Sequence, residues 1–192
     1  MARPSPTTPE ALRKELKHLV LQHVYKKSDQ PIQLSSGAQT NEYYDVKQVT
    51  LFPERSVLFA RLLSELLNLR DYDAVGGMSI GADPIVSATS IVAYLEKGIH
   101  LPMFLVRNEV KVHGLQKKIE GVEIKRGMKV LIVDDVITQG TATLSAIRAV
   151  EELGAIVKHI ACLIDREEGG SKAISEKYPF LSVFKKSELQ LS

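Results

Sequence analysis

Apolar positions along the chain follow two rhythms. After Thr8-Pro9, a start signal with a capping hydroxyl and a proline suited to a first helical turn, Leu12, Leu16, Leu19 and Val20 recur at helical spacing. Leu58, Leu62, Leu66 and Leu67 do the same after Pro53-Glu54. Further helices are predicted from Pro84 to about Lys97, from Thr141 to Leu153 with Gly154 as the stop, and over Ser171 to Lys177. Between them lie short apolar runs: Ala74 to Met78, Met103 to Val106, Lys129 to Val133, Ile156 to Ile164 and Leu181 to Phe184. Val130 to Val133 do not alternate with polar residues, which suits a parallel strand covered on both faces. Alternating strand and helix signals predict a wound α/β fold with a central, mostly parallel sheet flanked by helices. The polar stretch Ser35 to Glu42 reads as turns, and neither a repeat nor a low-complexity tract interrupts the pattern. One domain over 1–192 is expected, with a small N-terminal hood from about 1–50 over a core of about 51–192.

Composition adds bounds. A chain of 192 residues with 44% hydrophobic content buries a sizeable core without disulfides or a structural metal. A net charge of +2 gives no reason to expect nucleic acid, and basic residues crowd only between Arg107 and Lys118, which suits a small anion. Cys162, the only cysteine, lies in the apolar run and reads as a buried small hydrophobe in a reducing compartment. No segment resembles a signal peptide, and no apolar run approaches the roughly 18 residues of a membrane span, so a cytoplasmic protein without a membrane partner is expected.

The candidate chemistry starts at Val130-Leu131-Ile132-Val133-Asp134-Asp135-Val136-Ile137-Thr138-Gln139-Gly140-Thr141-Ala142-Thr143. A buried strand that ends in two acids and turns through Gly and hydroxyls into a helix offers backbone N–H groups, a close backbone approach at Gly140 and a positive helix end, which together suit a phosphate. Two solvated acids at a strand end are the plainer alternative. The whole pattern resembles the ribose-phosphate signature of the type I phosphoribosyltransferases, which use phosphoribosyl pyrophosphate (PRPP). That resemblance implies that Asp134 and Asp135 hold the ribose hydroxyls, directly or through magnesium, and that Val136, Ile137, Thr138, Gln139, Gly140, Thr141 and Ala142 complete the PRPP site.

Three further segments extend the likeness. Gly76 to Pro84 is a turn before a helix whose glycines free N–H groups for an anion, at the family's pyrophosphate-loop position; Gly81 stands where many members have lysine. Arg107 to Gly121 is a charged loop with Gly114 and Gly121 as candidate hinges. Its Arg107, Lys111, His113 and Gly114 resemble the catalytic loop of the orotate-using branch of the family, although Asn108 replaces the usual lysine. Asp165-Arg166-Glu167-Glu168-Gly169-Gly170 resembles the turn that presents an arginine to the orotate carboxylate, a planar anion that a guanidinium fork matches. Leu34 to Asp45 resembles the branch's Leu-x-Ser-Gly stretch with paired aromatics, with Ser35 and Ala38 where some relatives are basic. Tyr43 and Tyr44 are then the wall against the pyrimidine, with Thr138 near the base.

The resemblance therefore implies a type I phosphoribosyltransferase fold and transfer of the 5-phosphoribosyl group from PRPP to orotate, giving orotidine 5'-monophosphate and pyrophosphate in de novo pyrimidine (UMP) biosynthesis. It implies Lys111, His113 and Asp135 as catalytic residues, with Arg107, Lys111 and His113 on the pyrophosphate. Magnesium is expected to be held through PRPP near Asp134 and Asp135 rather than by the protein alone, and a homodimer is expected to share the catalytic loop between subunits. A phosphoribosyltransferase for another base, or a non-catalytic regulator that senses PRPP, is the alternative.

Overall fold

The structure, a computed structural model, describes residues 8–33, 39–108 and 118–189. Helix α1 (Pro9–His23) begins where Thr8 accepts a hydrogen bond from the Ala11 N–H at 3.2 Å, and it buries Leu12, Leu16 and Val20 on one face. Strands β1 (Tyr25–Gln33) and β2 (Gln39–Tyr44) pair antiparallel, with an irregularity between Lys27 and Ile32. Apolar periodicity gives no sign of either strand, because both are mostly polar and β1 contains Pro31. Two helices follow, α2 (Lys47–Thr50) and α3 (Pro53–Leu66).

The core sheet is built from β3 (Ala74–Met78), β4 (Met103–Val106), β5 (Ile119–Gly121), β6 (Lys129–Ile137), β7 (Ile156–Asp165) and β8 (Phe180–Lys185). Its six strands run in the order β5-β4-β3-β6-β7-β8, all parallel except for the β4–β5 pair. Helices α4 (Asp83–Lys97), α5 (Thr141–Glu151), α6 (Gly170–Ser175) and α7 (Lys186–Leu189) complete the chain. Along β6, Leu131 and Val133 join a core shared with α1, α3 and α4, while Val130 and Ile132 join one shared with α5 and α6. Both faces are therefore covered, as the unbroken apolar run requires. Cys162 is fully buried in the second core, as its apolar setting predicts.

From β3 the chain moves outward to β4 and β5, then returns to β6 on the other side of β3 and continues to β7 and β8. The β3/β6 boundary is thus the topological switch point, where open α/β sheets leave a crevice beyond their strand ends. Gly76 and Gly77 make this packing possible. A Cβ at Gly76 would stand 2.4 Å from the Phe104 carbonyl oxygen, and one at Gly77 would stand 2.2 Å from that of Val133. These two glycines are accounted for by strand packing, so the candidate anion turn starts only at Ser79.

Two other expectations are corrected. Strand β6 does not stop at Val133 but runs through both acids to Ile137. The charged loop is shorter than predicted, since β5 takes Ile119 to Gly121; Gly121, at φ +98°, lies where a Cβ would come within 2.3 Å of the Met103 carbonyl oxygen. Close strand packing, rather than hinging, explains that glycine.

Candidate active site

The crevice at the switch point collects the ends of β3, β6 and β7. Asp134 and Asp135 are buried, 6% and 7% exposed, in place of the solvated pair that a strand end suggests. Buried carboxylates need partners. Asp134 Oδ1 accepts the Asp135 N–H at 3.0 Å, its Oδ2 accepts the Thr143 hydroxyl at 2.5 Å, and Asp135 Oδ1 accepts the Val136 N–H at 2.8 Å. Burial, with the Asp135 charge second, pushes the Asp134 carboxyl up to about 7, and the Thr143 hydrogen bond pulls the other way. Burial also raises Asp135, while the Lys47 ammonium on α2 is the strongest influence lowering it. Neither Lys47 nor the inward turn of Thr143 is legible in the sequence. Lys47 belongs to no motif, and Thr143 reads there as one more hydroxyl available to a ligand.

Beyond the acids the chain leaves β6 through Thr138, Gln139 and Gly140 into α5. Gly140, at φ +75°, is the residue before the helix and takes a backbone conformation that a side chain disfavours. The first N–H groups of α5, at Thr141 and Ala142, have no acceptor within the helix, and no side chain caps it. The Gly170 N–H donates to the Thr138 carbonyl at 3.0 Å, and a Cβ on Gly170 would lie 2.5 Å from the Gly140 nitrogen, so the start of α6 holds this loop in place.

On the β3 side, the turn after Met78 packs against the acids: a Cβ on Gly81 would lie 2.9 Å from Asp135 Oδ1. Ser79 Oγ donates to Asp83 Oδ2 at 2.8 Å and steadies the turn at the start of α4. On the β7 side, the Arg166 N–H donates to the Ile137 carbonyl at 2.9 Å, which puts Arg166 beside Thr138. The Arg166 guanidinium stands 5.3 Å from the centre of the Tyr44 ring and pairs with Glu168 at 2.7 Å; its Nε is buried without a partner among the described residues. Tyr44 is buried, whereas Tyr43, 38% exposed, lies next to it on β2. Arg166 and Tyr44 thus meet on the β7 side of the crevice, a cation on an aromatic face, with Thr138 one residue along the chain from the carbonyl that Arg166 binds.

Arg107 ends up at the mouth of the β4–β5 connection, held by Glu120 through Nε at 3.0 Å and Nη2 at 2.9 Å. Lys111, His113 and Gly114 lie outside the described residues, as do Ser35 and Ala38. Among the described residues, no group of three or more His, Cys, Asp or Glu side chains converges to hold a metal ion. The two acids suit a magnesium ion that also takes substrate oxygens and waters as ligands.

A parallel sheet with buried paired acids and a phosphate-type loop at its switch point defines a type I phosphoribosyltransferase, and the chain belongs to the family described as the phosphoribosyl transferase domain, matching it over residues 38–187. Within that family it stands with the orotate phosphoribosyltransferases. It is 38% identical to that of Aquifex aeolicus over 92% of this chain and 97% of the relative, and 41% identical to that of Leptospira biflexa over 86% and 91%. The solved structure of Mycobacterium tuberculosis orotate phosphoribosyltransferase in complex with PRPP is similar at a TM-score of 0.75 and 34% identity, covering 94% of this chain and 99% of that one.

Proposed function

We infer that the chain is an enzyme that transfers the 5-phosphoribosyl group of PRPP to orotate, giving orotidine 5'-monophosphate and pyrophosphate. The observation that carries this reading is the meeting of Arg166 and Tyr44 beside the Asp134–Ala142 loop, which the Arg166 N–H joins at the Ile137 carbonyl. In the reaction the C1–oxygen bond to pyrophosphate breaks, its electron pair leaves with the phosphates, and a deprotonated ring nitrogen of orotate bonds to the oxocarbenium-like C1. Asp134 and Asp135 hold the ribose hydroxyls, and the N–H groups and hydroxyls from Val136 through Ala142 hold the 5-phosphate. Magnesium, when bound with PRPP beside the two acids, neutralises phosphate charge. Arg107, Lys111 and His113 do the same for the departing pyrophosphate, where donors acting in the transition state are each worth about 3 kcal/mol. His113, when protonated, also gives its proton to the oxygen of the departing pyrophosphate.

Arg166 takes the orotate carboxylate, and Tyr43 and Tyr44 wall the ring. Residues of about 1–50 act as a hood over the core of one domain. The active form is a homodimer whose 107–118 loop serves the neighbouring subunit's site, and it works in the cytoplasm. No helix among the described residues is long and apolar enough to cross a membrane. An absorbance assay with PRPP, magnesium and each of orotate, adenine, hypoxanthine and uracil tests the reading: orotate alone is consumed, and a preference for any other base overturns it.

A further inference from the structure

Arg166 already holds a carboxylate. Its Nη2 is 2.7 Å from Glu168 Oε1, while its Nε, the other donor on that edge of the guanidinium, is buried and unpartnered among the described residues. Glu168 therefore uses half of a fork built for two parallel hydrogen bonds and leaves the second donor without an acceptor among the described residues. A carboxylate that bridges Nε and Nη2 satisfies both.

The backbone around the pair is fixed. The Arg166 N–H is tied to Ile137, the Glu167 N–H donates to Asp165 Oδ1 at 2.8 Å, and the Glu167 carboxylate accepts the Ser187 N–H at 2.8 Å. Glu167 sits at φ +57°, a conformation those two hydrogen bonds support. Glu168 differs: its side chain is 39% exposed, and Gly169 after it, at φ +99°, has open space where a Cβ would project. It can leave Arg166 by a side-chain rotation alone, with the turn unmoved.

We propose that Glu168 is a resident carboxylate that occupies Arg166 while the pyrimidine site is empty and yields Nη2 to the carboxylate of the incoming base. This rests on the reading of Arg166 as the orotate receptor. Glu168 makes the carboxylate a condition of entry: a pyrimidine without one has nothing to displace it with, and Arg166 stays paired. The cost falls on orotate as weaker apparent binding, and it is small because Glu168, 39% exposed, gives up one hydrogen bond and regains water in its place.

Steady-state kinetics of Glu168→Gln and Arg166→Ala, with thermal unfolding to verify that both are folded, test this. In Glu168→Gln the KM for orotate falls about two- to fivefold, the range such a pair can withhold, and the KM for PRPP does not follow it. A gain in affinity for one substrate only is not what general structural damage produces. An orotate KM that stays the same or rises overturns the proposal and makes Glu168 a positioning residue for Arg166. The receptor reading fails separately, if Arg166→Ala leaves the orotate KM unchanged.

Discussion

The Thr143 hydroxyl donates to Asp134 Oδ2 across 2.5 Å, linking the first turn of α5 to the strand that carries both acids. Burial holds the Asp134 proton to about 7 in the folded protein, against an ordinary value of 3.8. Between those limits the folded state binds more protons than the unfolded chain, so this group's contribution to stability is full below about pH 4 and is lost as pH rises through about 7. Urea unfolding at a series of pH values should show Asp134→Asn flattening that decline. A variant whose pH dependence parallels the parent's would contradict the assignment. Thr143→Val removes the donor, so it should move the end of the decline upward and destabilise the fold by about 1–3 kcal/mol.

Gly170→Ala tests whether the start of α6 positions the phosphate loop. The added methyl meets the Gln139 carbonyl carbon, the Gly140 nitrogen and the Thr138 oxygen, each 2.5 Å away, and all three are backbone atoms that cannot swing aside. Overpacking of this kind costs about 1–3 kcal/mol, to be read as a lower Tm. The KM for PRPP should rise with it, and an unchanged KM would mean that the loop does not touch the phosphate.

For Arg166, replacement by Ala should weaken orotate by about ten- to a hundredfold, the worth of charge-assisted hydrogen bonds to a carboxylate, with much less effect on PRPP. Lysine should restore little, because a point charge cannot reproduce the fork. Equal losses for both substrates would refute the carboxylate role.

Lys111→Ala, chosen from the likeness of its loop to the orotate branch, should lower kcat about 10²- to 10³-fold with Tm unchanged. Unaltered turnover would remove the residue from the mechanism.

Legibility in the sequence followed the source of each element's stability. Strands β3 and β4 match their predicted limits, since unbroken apolar runs bounded by polar residues leave few choices. Strand β6 reads short because Asp134 and Asp135 look like solvated residues, and the neighbouring N–H groups, with Thr143 and Lys47 brought near by folding, make their burial tolerable. Strands β1 and β2 are held by pairing with each other, not by an apolar rhythm. The Asp134–Thr143 motif was legible as a candidate site because its residues are contiguous in the chain. Lys47 beside Asp135 and Tyr44 beneath Arg166 were not derivable from spacing, since separate elements bring them together.

Calorimetric titration of PRPP with magnesium into the parent protein and into an Asp134→Asn, Asp135→Asn double variant bears most directly on the ribose-phosphate loop. The parent should bind with measurable heat and the variant at least tenfold more weakly, since about 1.4 kcal/mol of lost hydroxyl contacts suffices for that. No binding by the parent, or equal affinity in the two proteins, would contradict the account.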